Sequence, residues 1–292
     1  MIVTSALSNP SLLALFAAFM FGLALVLTQF GLRYVSPLHG ASVSIPAAAA
    51  FLWILAPLQM DWRNVSPAPA VIFAAVGLFF PATVTLLTFE ANRRMGPSVS
   101  GALANLAPPF AVLSAMVFLH DKPSPLQAVG IAAIIVGILM LSMDRNWLGV
   151  AWSYWALAFP IGAAAISGFM PLITKLGLAA WPNPFAATLI GYTVSGVVVV
   201  SIVTASPAGR PAEYDRTGLT WFAVVGICNS IGVLALYSAL ARGSVLLVAP
   251  LVATYPLVTV GLTAAIFRSV QTSATVLAGV ATTVAGVIFL IT

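Results

Sequence analysis

Ten stretches without a single charged side chain follow one another along this chain: 1–32, 34–60, 64–89, 95–119, 123–143, 146–174, 176–209, 217–241, 243–267 and 269–292. Each exceeds 20 residues, and about 20 apolar residues cross a hydrocarbon core of roughly 30 Å as a helix. Membrane β-strands would run to about 9–11 residues of alternating polarity, a pattern absent here. The spacing therefore predicts an all-α membrane protein with ten transmembrane helices, near 11–32, 36–58, 69–91, 97–119, 124–143, 149–174, 184–205, 217–241, 244–267 and 272–292. Composition agrees: 61% of the residues are hydrophobic and 6% charged, against about 25% charged in an ordinary soluble domain. The net charge of +5 contains no basic run of the kind that nucleic acid requires, so that partner is excluded.

The links carry helix-start signals. Ser36-Pro37, Ser66-Pro67, Gly96-Pro97, Ser124-Pro125 and Asn183-Pro184 each set a proline beside a capping residue. Met1 to Leu32 lacks charge and is too long for a signal-peptide core, so it is expected to be the first membrane helix. The lone Cys228 can form no internal disulfide and sits in an apolar run, as a packing residue does.

Shifting the chain by 147 residues superposes its halves. Ser36-Pro37-Leu38 falls on Asn183-Pro184-Phe185, and Pro109 on Pro256; with two more residues in the last loop, Gly130 and Gly137 fall on Gly279 and Gly286. Two five-helix repeats are expected, 1–146 and 147–292. Because five crossings are odd in number, the second lies inverted in the membrane, an architecture that places a solute site near the midplane between the repeats. Glycines seven apart share a helix face and allow close helix approach.

Phe21-Gly22 in the first helix, Ser36-Pro37-Leu38 opening the second, and the stretch Val117-Phe118-Leu119-His120-Asp121-Lys122-Pro123-Ser124-Pro125-Leu126-Gln127-Ala128-Val129-Gly130 resemble the EamA-type branch of the drug/metabolite transporter superfamily. Within it, the bacterial exporters of aromatic and other amino acids are the most similar group. Two departures stand out: His120-Asp121 replaces the family's Gly-Glu, and Phe267-Arg268-Ser269 lacks the acid. The resemblance implies a multi-pass inner-membrane carrier without a cofactor, with a small amino acid-like solute as its partner, cytoplasmic termini, and a monomer as one possible state. Charge counting conflicts on orientation. Arg63, Lys122, Lys175 and Arg242 fall on the side of the termini, but Arg33, Arg93, Arg94, Arg145, Arg210, Arg216 and Arg268 fall on the other, which the positive-inside rule would make cytoplasmic.

Polar residues and prolines inside spans are the pointers to a site. Asp61, Asp121, Asp144, Glu213 and Asp215 lie in loops, and His39 and His120 at helix ends. Glu90 ends the third helix beside Arg93 and Arg94, as an interfacial ion pair or a residual proton carrier. Helix-bending prolines are expected at Pro81, Pro108, Pro109, Pro160, Pro250 and Pro256, because each removes a backbone donor and frees a carbonyl. Their polar and aromatic neighbours are the candidate substrate-binding residues: Phe79, Phe80, Thr83, Asn105, Trp155, Phe159, Asn229, Ser230, Tyr237, Thr254 and Tyr255. Trp62, Trp147, Trp152, Trp181 and Trp221 read instead as interfacial belt residues.

The sequence thus predicts an alternating-access exporter of amino acids or similar small metabolites, with a drug or other metabolite efflux carrier as the alternative. Nucleotide sugars would need a cationic cluster that Lys175 alone does not supply. An intramembrane enzyme is a distant alternative: Gly96-Pro97-Ser98-Val99-Ser100-Gly101 lacks the spacing of a serine nucleophile motif, and no aspartate pair or metal set lies in a span. Neither a carbonyl-lined filter nor a ring of like charges suggests a channel.

Overall fold

A computed structural model describes residues 9–95, 103, 105–142, 154–205, 215–267 and 274–291. The expected helix starts at 97, 149 and 272, Gly96 to Gly101, the belt residues Trp147 and Trp152, and the loop residues Asp144, Arg145, Arg210, Glu213 and Arg268 lie outside them. Among the described residues the secondary structure is helical throughout. Its elements are α1 (Pro10–Gly31), α2 (Pro37–Gln59), α3 (Pro67–Gly77), α4 (Val84–Met95), α5 (Ala107–Phe118), α6 (Pro125–Ser142), α7 (Ala158–Ala180), α8 (Pro184–Ala205), α9 (Arg216–Arg242), α10 (Val245–Val252), α11 (Tyr255–Phe267) and α12 (Ala274–Ile291). Seven helical stretches are long and apolar enough to cross a membrane, and Ala107–Phe118, Pro125–Met140 and Leu277–Ile291 are shorter apolar helices. The protein is a multi-pass membrane protein.

Local chemistry explains the starts. Prolines open α1, α2, α3, α6 and α8. Asn9 accepts from the Ser11 amide (2.9 Å), and Asp215 from the Thr217 amide (2.7 Å). Ser124 and Gln127 cap each other's amides at 3.1 and 3.2 Å, the reciprocal arrangement that satisfies two orphan donors at the start of α6. Small residues fill the interior: Ala14, Ala17, Ala48, Ala56, Ala186 and Ala239 are buried. Large apolar ones such as Leu58 and Ile54 point outward, where a soluble protein would carry polar groups.

The prolines act in two ways. Pro81 does bend its helix: between α3 and α4 lies a widened turn, Leu78–Thr83, in which Phe80 is extended (φ −132°, ψ 124°). Pro250 lies within α10. Pro108 and Pro109, however, occupy the first turn of α5, and Pro160 the first turn of α7. Pro256 likewise sits second in α11, after a turn at Ala253-Thr254. These four start helices rather than bend them, because the first turn has no carbonyl to lose and proline's fixed φ suits it. Inside α7 it is Pro171 that occupies an interior position.

Helices far apart in the sequence meet. α6 and α12 pack as a pair in which a Cβ on Gly130 would lie 2.8 Å from the Gly286 carbonyl, and one on Gly137 2.8 Å from that of Gly279. The residue numbers rise in one helix as they fall in the other, so these helices run antiparallel.

Candidate functional site

The widened turn after α3 is where the chain departs most from regular helix. Pro81 has no N–H to give the carbonyl four residues back, that of Gly77. Ser195 on α8 fills the gap, its buried hydroxyl donating to Gly77 O at 2.5 Å. The approach is close because both helices carry glycine there: a Cβ on Gly77 would lie 2.6 Å from the Gly191 carbonyl. Thr83 donates to Leu78 O (2.8 Å) and Thr85 to Pro81 O (2.7 Å), the latter beside the Val84 N–H that also reaches Pro81 O, so hydroxyls add donors around the bend, as a membrane interior favours.

Beside this turn a narrow void is lined by Phe80, Pro81, Thr188, Gly191, Tyr192, Val233 and Tyr237. Tyr192 and Tyr237 are buried, as are Thr188 and Thr174. The buried Thr174 hydroxyl approaches Tyr237 without completing a hydrogen bond. A lining of rings and hydroxyls from the turn, α8 and α9 is of the kind that takes a small solute with an apolar body and a few hydrogen-bonding groups. In this conformation it has no room for even a water molecule, so a solute enters only as its walls part. On the other face of the turn, Phe79 (46% exposed) borders an apolar cleft of about 320 Å³ with Ala75, Val76, Ala165, Ile166, Phe169, Met170 and Ile173.

The remaining expected residues divide. Asn105 and Tyr255 stand at the breaks before α5 and α11, and the Tyr255 hydroxyl lies 3.5 Å from Asn105 Oδ1, at the outer limit of a hydrogen bond. Ser230 donates to the carbonyl of Ile227 (2.8 Å) on its own helix, and Thr254, in the turn after α10, to that of Leu251 (2.7 Å). Asn229 is half-buried on α9. Phe159 lies under the Arg94 guanidinium, 4.7 Å from its ring centre, and Arg94 pairs with Glu90 at 2.5 Å. Trp155 sits on the entry turn Tyr154–Leu157, 83% exposed, and lines neither void.

Tyr192, Thr174, Thr188 and Ser195 were not among the expected residues. Thr188, Tyr192 and Ser195 recur at i, i+4 and i+7 on one face of α8, a polar stripe in an otherwise apolar helix and therefore a readable signal.

Residues 9–143 match the model of the EamA-like transporter family. Among solved structures, one crystal structure aligns with a TM-score of 0.80 at 16% identity, covering 96% of this chain and 95% of that one, which shows a shared fold across both halves. No curated protein matches the chain.

Proposed function

We propose that the whole chain is an EamA-type secondary carrier of ten spans, two inverted five-helix repeats over 1–146 and 147–292, exporting amino acids or similar small metabolites by alternating access. The family domain over residues 9–143 carries the transporter assignment. The antiparallel glycine contacts of α6 with α12 and the paired breaks before α5 and α11 support the inverted repeat. An inner-membrane location with cytoplasmic termini follows from the family resemblance, against the arginine count.

The solute site is assigned to the void at Phe80, Tyr192 and Tyr237, with Asn105 and Tyr255 as a second polar pair. Trp155 and Phe159 belong to the entrance, and Thr83, Ser230 and Thr254 serve the backbone. The rings suit an amino acid with an apolar or aromatic side chain, and the hydroxyls suit its polar groups. Nucleotide sugars fit poorly, since the ammonium of Lys175 is already engaged by the carbonyls of Leu240 and Gly243. A drug efflux carrier is favoured by one feature, the adjoining cleft, whose lining is wholly apolar.

The test is uptake into proteoliposomes holding the purified protein. Saturable entry of radiolabelled aromatic amino acid, accelerated by the same amino acid inside, is expected. Uptake confined to apolar drugs transfers the assignment to the alternative, and flux that never saturates rejects a carrier.

A further inference from the structure

We propose that Lys175 is a latch that closes the carrier at the end bearing Pro10 and Gly243, and that filling of the hydroxyl site beside it releases that end. The latch rests on the carrier assignment above and adds the part that moves.

Lys175 lies on α7, half-buried, and its Nζ donates to Leu240 O and Gly243 O, both at 2.6 Å. These carbonyls belong to the last turn of α9 and its cap, where backbone acceptors lack helical partners and the helix dipole presents its negative end. One ammonium therefore ties two long apolar helices together at one end. Asp121, in the link between α5 and α6, adds a favourable charge to the surroundings of this ammonium without forming an ion pair with it. Gly243 in turn lies against the start of α1, since a Cβ on it would fall 2.8 Å from Pro10 Cβ.

The neighbours couple this tie to the site. Thr174, one residue before Lys175, presents its buried hydroxyl towards Tyr237, and Tyr237 precedes Leu240 by three residues, about 4.5 Å along the axis. Two turns of α7 and α9 thus carry both the hydroxyl pair and the ammonium–carbonyl pair. The void beside Tyr237 has no room for even a water molecule in this conformation, so a solute that enters there parts these turns and draws the carbonyls away from the ammonium. Water at the opened end then replaces them as acceptors, so release exchanges hydrogen bonds rather than abandoning them, which a reversible gate requires.

The experiment compares the full-length protein with Lys175→Met and Lys175→Arg in liposomes, by amide hydrogen exchange and by counterflow of radiolabelled phenylalanine. Lys175→Met should speed exchange of amides 238–247 by about tenfold, since two charge-assisted bonds hold that end, and leave α12 unchanged. It should also raise the apparent phenylalanine affinity measured from the Pro10–Gly243 face about threefold and lower that from the opposite face, the sign of a shifted two-state equilibrium rather than of a loosened fold. Lys175→Arg should behave as the unmutated protein. If Lys175→Met does not fold, Asp121→Asn should give the same changes at about twofold. Unchanged amide exchange in these variants overturns the latch, as does loosening with no shift between the faces. Absence of counterflow in the unmutated protein overturns the carrier assignment and the latch with it.

Discussion

The third and eighth apolar stretches are counterparts in the proposed repeat, yet one is broken and the other is not. Pro67–Met95 is interrupted by the turn at Leu78–Thr83, whereas Arg216–Arg242 runs 27 residues without a break. A shift of 147 places Pro81 on Cys228 and Gly77 on Val224. The first helix therefore needs a foreign hydroxyl, Ser195, and a glycine-sized contact; the second satisfies its own backbone and contributes Tyr237 to the void instead. In the proposed repeat, then, a single proline distinguishes the stretch that bends from its counterpart that does not.

The comparison breaks most sharply at Gly77. A valine there meets the Gly191 backbone, which cannot swing aside as a side chain can, and about 3 kcal/mol or more of stability should be lost. The equivalent Val224→Ala, on an exposed face of α9, should stay within about 0.5 kcal/mol. Thermal unfolding in detergent, followed by tryptophan fluorescence, reads both. Equal effects would show that the bend imposes no special contact.

Ser195→Ala comes next. It removes one donor from the Gly77 carbonyl and should cost about 1 kcal/mol, the scale of an interhelical hydrogen bond in membranes. In a Pro81→Ala background an N–H returns to that position, so the same substitution should cost less. A double-mutant cycle measures the difference, and strict additivity would mean that Ser195 does not answer for the proline.

Pro160→Ala should have the smallest effect, about 0.5 kcal/mol at most, because the first turn of α7 has no carbonyl for that proline to release. A loss in the same melting assay comparable to that of Ser195→Ala would place Pro160 among the bending prolines.

Much of this was legible in the sequence because charges are costly in a bilayer: where they are absent, helices follow, and α1, α2, α8 and α9 begin and end within two residues of the expected bounds. Proline was legible as a break but not as a kind of break. Whether Pro81 bends a helix or Pro108, Pro109, Pro160 and Pro256 begin one depends on whether the residues before them already form helix, which local sequence does not decide. The site was half legible. Phe80 and Tyr237, which line the void, were expected from the proline and the polar-residue rule; Tyr192 was marked only by the polar stripe on α8, and Thr174, a threonine beside a lysine, carries no local mark. Their burial against Tyr237 is a property of packing between α7, α8 and α9.

The location of the solute site is the claim on which the asymmetry depends, and trans-stimulated exchange of radiolabelled phenylalanine in proteoliposomes tests it most directly. Tyr237→Phe removes one hydroxyl and keeps the ring, so it should leave folding intact and lower the exchange rate about tenfold, as the loss of a single buried hydrogen bond to the solute would. Trp155→Ala, at the exposed entry turn, should leave that rate within about twofold of the unmutated protein. The opposite result, unaltered exchange with Tyr237→Phe and collapse with Trp155→Ala, would contradict a site beside the Phe80 bend and move it to the entrance of α7.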